Sequence, residues 1–315
     1  MIGGGIAALA AATAAVVSQL ITNTLVDEAL SREEPQIMKK AKSKISGGFA
    51  DTEIFQQAAE KAEYLLQVPT ETVEIDAYDG IQLIGHFYRN PNAKRILIAV
   101  HGWRSSWNAD FGAVADFWFE NGCSVLFIEQ RGQGLSAGEY MGFGLKERFD
   151  VQSWANFVAE HNAGNLPVYL AGVSMGATSV LMASGLGLPE CVHGLMSDCG
   201  YTSPRAIWKH VCEDNIHISY GLRQKIVDDM CMQRIDHGAG DYSTTEALAK
   251  NTIPVLFVHG TDDGFVPVQM TYENYKACVA PKMLLIVPGA DHGLSYFVNG
   301  EEYRKQTLAF WNAFD

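Results

Sequence analysis

Val168-Tyr169-Leu170-Ala171-Gly172-Val173-Ser174-Met175-Gly176-Ala177 runs from an apolar stretch of strand type, Val168 to Ala171, into a helical run that begins at Ala177. Between the two, Gly172-Val173-Ser174-Met175-Gly176 matches the pattern G-x-S-x-G. A serine in that context sits on a sharp, strained turn, and its flanking glycines let neighbouring backbone come close. The N-terminus of the following helix aims N–H groups at negative charge developing beside the serine. The alternative is an ordinary turn serine. The strand before it and the helix after it weigh against that.

Further continuous apolar runs lie on either side: Ile96 to Val100, Ser124 to Ile128, Ile253 to Val258 and Met283 to Val287, with a weaker one from Gly194 to Ser197. Runs without alternation suit strands covered on both faces, as in a parallel sheet. Helical patterns such as Phe111-Val114-Ala115-Trp118 and Trp154-Phe157-Val158 separate them. Strands alternating with helices predict βαβ units and an α/β fold. Ahead of these, Val73, Ile75 and Ala77 alternate with polar residues, Asp79-Gly80 supplies a hairpin turn, and Ile81, Leu83 and Gly85 resume the alternation. Earlier still, Ile54, Ala58, Ala62 and Leu65 make one apolar helical face, in a connecting segment outside the main sheet. Tyr201 to about Lys250 breaks the rhythm and is long for a simple crossover. It predicts a small helical cap over the mouth of a site. Trp208, Tyr220 and Met232 are its candidate pocket liners, with packing inside the cap as the competing role for each.

Three more loops carry polar residues suited to acyl chemistry. His101-Gly102-Trp103 follows the run Ile96 to Val100. Stabilising an oxyanion takes two N–H donors, one from the residue after the nucleophile and one from the loop after an earlier strand. Met175 and Trp103 hold those places, and His101 itself reads equally well as a structural histidine. Gly260-Thr261-Asp262-Asp263-Gly264-Phe265-Val266-Pro267 follows the run Ile253 to Val258, and Gly289-Ala290-Asp291-His292-Gly293 follows Met283 to Val287. A carboxylate must orient the imidazole of the base, and two adjacent aspartates compete for that role. Ser174, then an aspartate, then His292 is the chain order of serine hydrolases built on an open α/β sheet. Each member follows a predicted strand, at the edge of the sheet where such folds bind ligands.

From about Val73 onward the chain resembles bacterial α/β-hydrolases of the serine aminopeptidase-like and "cell-surface hydrolase" esterase group. The shared features are H-G-x after the third strand, D-x-R-G-x-G-x-S after the fourth, G-x-S-x-G, G-x-x-D-x-x-V-P and G-x-x-H. In the second of these, Glu129-Gln130-Arg131-Gly132-Gln133-Gly134-Leu135-Ser136, Glu129 stands for the usual Asp and Gln133 for a common His. The resemblance implies an α/β-hydrolase fold over residues 68–315. That fold is a mostly parallel central sheet with flanking helices and a small cap at about 201–250, after a hydrophobic and helical extension, 1–67. It implies Ser174 as nucleophile, His292 as base and, because Gly260 to Pro267 maps onto G-x-x-D-x-x-V-P, Asp263 rather than Asp262 as the orienting carboxylate.

The chemistry expected is cleavage of a small-molecule carboxylic ester through an acyl-enzyme on Ser174, with the Trp103 and Met175 N–H groups as oxyanion hole. The same apparatus serves a peptidase, a thioesterase or an acyltransferase. A dehalogenase would need a carboxylate at position 174. A non-catalytic binding protein on this fold is the reading from another class; such proteins usually lose a triad member, and none is lost here. No cofactor is expected. No metal site is expected either, because the nine histidines show no H-x-x-x-H or related helical pairing.

Composition narrows the partners. The net charge of −13 argues against nucleic acid, whose backbone calls for a basic footprint. The six cysteines form no C-x-x-C pair and read as buried hydrophobes. Ile2 to Thr22 carries no charged side chain, is rich in Ala and Gly, and has the length of a membrane span. No Lys or Arg precedes it, so a secretory n-region is absent. It predicts either a membrane anchor or a helix that packs on the body or on a second copy. Arg32, Lys39, Lys40 and Lys42 follow it, so an anchored catalytic domain is expected on the cytoplasmic side, and an unanchored one in the cytoplasm.

Overall fold

The computed structural model describes residues 18–33 and 53–315. Residues 18–30 form helix α1. The rest runs α2 (Glu53–Gln67), β1 (Glu71–Asp76), β2 (Gln82–Tyr88), β3 (Arg95–Val100), α3 (Trp107–Glu120), β4 (Cys123–Ile128), α4 (Glu147–His161), β5 (Val168–Val173), α5 (Met175–Ala183) and β6 (Val192–Asp198). After α6 (Pro204–His210) comes a π-helical turn (Val211–Asn215). Then follow α7 (Gln224–Ile235), α8 (Thr244–Leu248), β7 (Val255–Gly260), α9 (Val268–Ala277), β8 (Lys282–Val287), α10 (Ser295–Val298) and α11 (Gly300–Phe314).

The strands make one eight-stranded sheet in the order β1-β2-β4-β3-β5-β6-β7-β8. β1 pairs antiparallel with β2 and β2 antiparallel with β4, and every other pairing is parallel. The β1–β2 hairpin turns where expected, at Gly80, whose φ of +82° favours glycine. β3, β4 and β7 are buried along their whole length, which is why they read as unbroken apolar runs. Alternate residues feed two cores. Ile98, Leu126 and Leu170 meet Trp154 of α4 and Val180 of α5 on one face. Leu97, Phe127 and Ala171 meet Phe111 and Trp118 of α3 and Trp311 of α11 on the other. The run Ile253 to Val258 enters the sheet two residues late, at Val255. Pro254 has no N–H to donate, and the Ile253 N–H is taken by Asn251 Oδ1 at 2.9 Å.

α2 turns its Ile54-Ala58-Ala62-Leu65 face inward and lies on α3. The helices meet closely at Gly112, where a Cβ would stand 2.7 Å from the Lys61 carbonyl. Residues 2–17 of the apolar stretch Ile2 to Thr22 fall outside the described residues; 18–22 belong to α1. Among the described residues no helix is long and apolar enough to cross a membrane. α1 buries Thr22, Val26 and Leu30, one face at helical spacing.

The chain between β6 and β7 folds into three short helices and the π turn, and its core joins Val26 and Leu30 of α1 with Phe143, Tyr201, Ile207 and Tyr220. Met232 is not a pocket liner. α7 turns Val227, Cys231 and Ile235 inward, so Met232, next to Cys231, faces away and is 50% exposed. All six cysteines are free thiols.

Candidate active site

Ser174 stands at the sharp turn between β5 and α5, with φ +55° and ψ −117°, a conformation that L-residues rarely adopt. The glycines around it are forced by contact. A Cβ on Gly172 would lie 2.4 Å from the Gly176 carbonyl, and one on Gly176 would lie 1.9 Å from the Val100 carbonyl oxygen. The Ser174 N–H donates to the Asp198 carbonyl at 2.9 Å, which pins the turn to the end of β6.

His292 and Asp263 arrive on the loops after β8 and β7. The Ser174 hydroxyl donates to His292 Nε2 at 2.9 Å, and His292 Nδ1–H donates to Asp263 Oδ2 at 2.7 Å. Asp263 Oδ1 accepts the N–H groups of Phe265 (2.9 Å) and Val266 (2.8 Å). Burial works against its charge, but hydrogen bonds from His259 and His292 outweigh that and hold the carboxyl well below the usual range. Asp262, by contrast, is exposed and accepts only the hydroxyl of its neighbour Thr261 at 2.7 Å.

Burial also opposes a positive charge on His292. Cys199 and Asp263 beside it outweigh burial and raise its pKa well above the ordinary histidine value. The Cys199 thiol, the Asp263 carboxylate and a His292 nitrogen lie within 4.8 Å of one another. These are ligating side chains, but both His292 nitrogens are engaged, one with Ser174 and one with Asp263.

The backbone N–H groups of Trp103 and Met175 make no hydrogen bond among the described residues. Asp110, in the first turn of α3, holds the loop that carries Trp103: its carboxylate accepts the Gly102 N–H at 2.6 Å and the Ser105 hydroxyl at 2.5 Å. His101 is structural. Its Nδ1–H donates to the Gly102 carbonyl at 2.8 Å and its Nε2 accepts the Gln130 N–H at 3.2 Å, while burial lowers its pKa. The exchanged residue Glu129 is a structural link, accepting His86 Nε2 at 2.7 Å and the Leu135 N–H.

Sequence reasoning passed over His259. Its Nε2 lies 2.9 Å from the Val266 carbonyl, which only accepts, so Nε2 carries the hydrogen. That hydrogen also reaches Asp263 Oδ2 at 3.1 Å, and the Thr271 hydroxyl donates to Nδ1 at 2.7 Å. His259 thus holds the oxygen that orients His292. Its only signal in the chain was its place at the end of an apolar run, four residues before Asp263.

The groove at Ser174 is lined by Trp103, Val173, Phe265, His292, Leu294 and Phe297, among others. Trp208 and Tyr220 do not reach it. They line an adjoining cavity under the cap, which shares Trp103 and Phe265 with the groove.

The model of the family "Serine aminopeptidase, S33" matches residues 91–208. The chain is 27% identical over 199 residues to the uncharacterized protein YqkD of Bacillus subtilis, across 60% of this chain and 62% of YqkD, under two thirds of that relative's length. It is 27% identical over 250 residues to the uncharacterized protein YfhR of Escherichia coli K12, across 76% of this chain and 80% of YfhR. Among solved structures, the esterase Pf2001 of Pyrococcus furiosus superposes with a TM-score of 0.65 at 20% identity, covering 80% of this chain and 93% of that one.

Proposed function

From its place in the α/β-hydrolase superfamily, to which the chain belongs, we propose that it is a serine hydrolase of carboxylic esters, with Ser174, His292 and Asp263 as the catalytic triad. The observation that carries the reading is the unbroken line of hydrogen bonds, 2.9 Å from Ser174 to His292 and 2.7 Å from His292 to Asp263. Such geometry lets His292 take the serine proton as Oγ attacks the ester carbon. The negative oxygen of the tetrahedral intermediate then meets the N–H groups of Trp103 and Met175. His292 returns the proton to the departing alcohol. Water, activated by His292 in turn, hydrolyses the acyl-enzyme. Asp263 stays ionised and stabilises the imidazolium.

A panel of p-nitrophenyl esters of increasing chain length, an aminoacyl anilide and an acyl-CoA thioester tests this reading. Esters are expected to react fastest, and a fluorophosphonate probe to label Ser174. An intact protein that cleaves none of them and takes no label contradicts it.

The charge state of His292 fixes a pH dependence. Only neutral imidazole can accept the serine proton, so activity is lost as His292 protonates. Because its pKa is raised, the acid limb of kcat/KM on a neutral ester is expected above pH ~6.5, the ordinary histidine value. A kcat/KM that does not fall on acidification through the histidine range would contradict the assignment.

A further inference from the structure

α1 and the cap line a cavity of about 140 Å³ beside the groove at Ser174. Val26 and Ala29 of α1 form one side, and Trp208, Tyr220 and Val227 form the other. Trp103 and Phe265 belong to both spaces. We propose that this cavity receives the apolar acyl chain of the substrate, admitted between Trp103 and Phe265, and that α1 sets its depth. The proposal rests on the esterase reading.

The position of Trp103 supports it. The backbone N–H of this residue is one of the two donors for the oxyanion, so the acyl carbon sits against it and the chain beyond begins at its ring. The indole Nε1–H is fixed in turn by the Ala29 carbonyl at 2.9 Å. Thus the residue that would hold the substrate's carbonyl also forms the partition to the cavity. The leaving alcohol keeps the other end of the groove, beside Leu294 and Phe297.

α1 is bound to the body of the protein through the carbonyls at its C-terminal end, which lack helical partners. Arg104 Nη2 donates to the carbonyls of Glu28 (2.8 Å) and Ser31 (2.7 Å), and the Met141 N–H donates to that of Leu30 (2.7 Å). A cation there also suits the helix dipole. Arg104 itself is held at φ +49°, so the grip on α1 stabilises a strained turn next to Trp103.

Size sets the substrate class. An apolar cavity of about 150 Å³ takes a benzene-sized ligand. The acyl group is therefore a neutral chain of about six carbons, or a phenyl ring. The test has two arms. In the first, benzene is expected to raise the Tm of both the wild type and Ser174→Ala, and not that of Ala29→Leu, whose larger side chain fills the space. In the second, the wild type is expected to prefer p-nitrophenyl hexanoate to the acetate. Ala29→Leu should lower that preference about tenfold, the scale of a methylene in a hydrophobic pocket. Val26→Ala, which deepens the cavity, should move the optimum to longer chains. Chain-length profiles that coincide in all three proteins, or no Tm shift in wild type and Ser174→Ala, would overturn the proposal. A Tm shift that Ala29→Leu abolishes, in a protein that cleaves no ester, would sink the esterase reading and leave the cavity as an apolar ligand site.

Discussion

Replacing Ser174 with alanine is expected to lower kcat for ester hydrolysis by ~10⁴-fold or more, leaving only what binding and the oxyanion donors contribute. The fold should survive. The backbone link from Ser174 N–H to the Asp198 carbonyl does not involve the side chain, and alanine meets the same φ of +55° with no bulkier group. His292 loses one partner, but its side chain is 26% accessible, so water can replace the hydroxyl. The check is single-turnover and steady-state hydrolysis of a p-nitrophenyl ester, with circular dichroism and Tm measured on the same sample. A folded variant that keeps a tenth of the wild-type rate would remove Ser174 from the mechanism.

Asp263→Asn is expected to cost ~10⁴-fold in kcat, while Asp262→Asn changes the rate little. The difference follows from hydrogen-bond direction. Asp263 Oδ1 accepts two backbone N–H groups that cannot reverse, so an asparagine must turn its carbonyl toward them. Its amide NH₂ then faces His292 and His259. Facing a donor, His292 Nδ1 has to become the acceptor, which moves the hydrogen to Nε2 and leaves nothing to receive the serine proton. His259 Nε2–H, fixed by the Val266 carbonyl, meets a second donor, so a stability loss of about 1–3 kcal/mol is expected as well. The Asp262 side chain accepts the Thr261 hydroxyl and holds neither histidine. Rates and urea midpoints of the two variants side by side decide the matter, and the reverse ranking would refute the choice of Asp263.

The parallel strands were legible in the sequence because burial on both faces demands unbroken apolar residues. The candidate triad was legible because each member lies in the turn or loop after a predicted strand. What escaped notice depends on contacts between distant parts of the chain. His259 reads as a strand terminus until folding brings Val266 and Thr271 around its ring. Trp208 and Tyr220 read as candidate pocket liners of the cap, and they line a cavity; that α1, from a distant part of the chain, completes it had no signal in the sequence. Met232 was misplaced for another reason. Composition marked it as apolar, but only the spacing of Val227, Cys231 and Ile235 shows which side of α7 is inward.

The exposed edge of the sheet has a consequence for how molecules meet in solution. Among the described residues β1 ends the sheet on one side, leaving a row of backbone donors and acceptors on which another strand could be laid. Three of its six residues, Glu71, Glu74 and Asp76, are acidic and exposed. Two copies approaching edge to edge would bring these carboxylates together on strands only about 5 Å apart, within molecules that each carry a net charge of −13. Fibre-like stacking along this edge is therefore resisted by repulsion. That repulsion weakens as dissolved salt shortens the reach of charge, so concentrated solutions should keep best at low ionic strength.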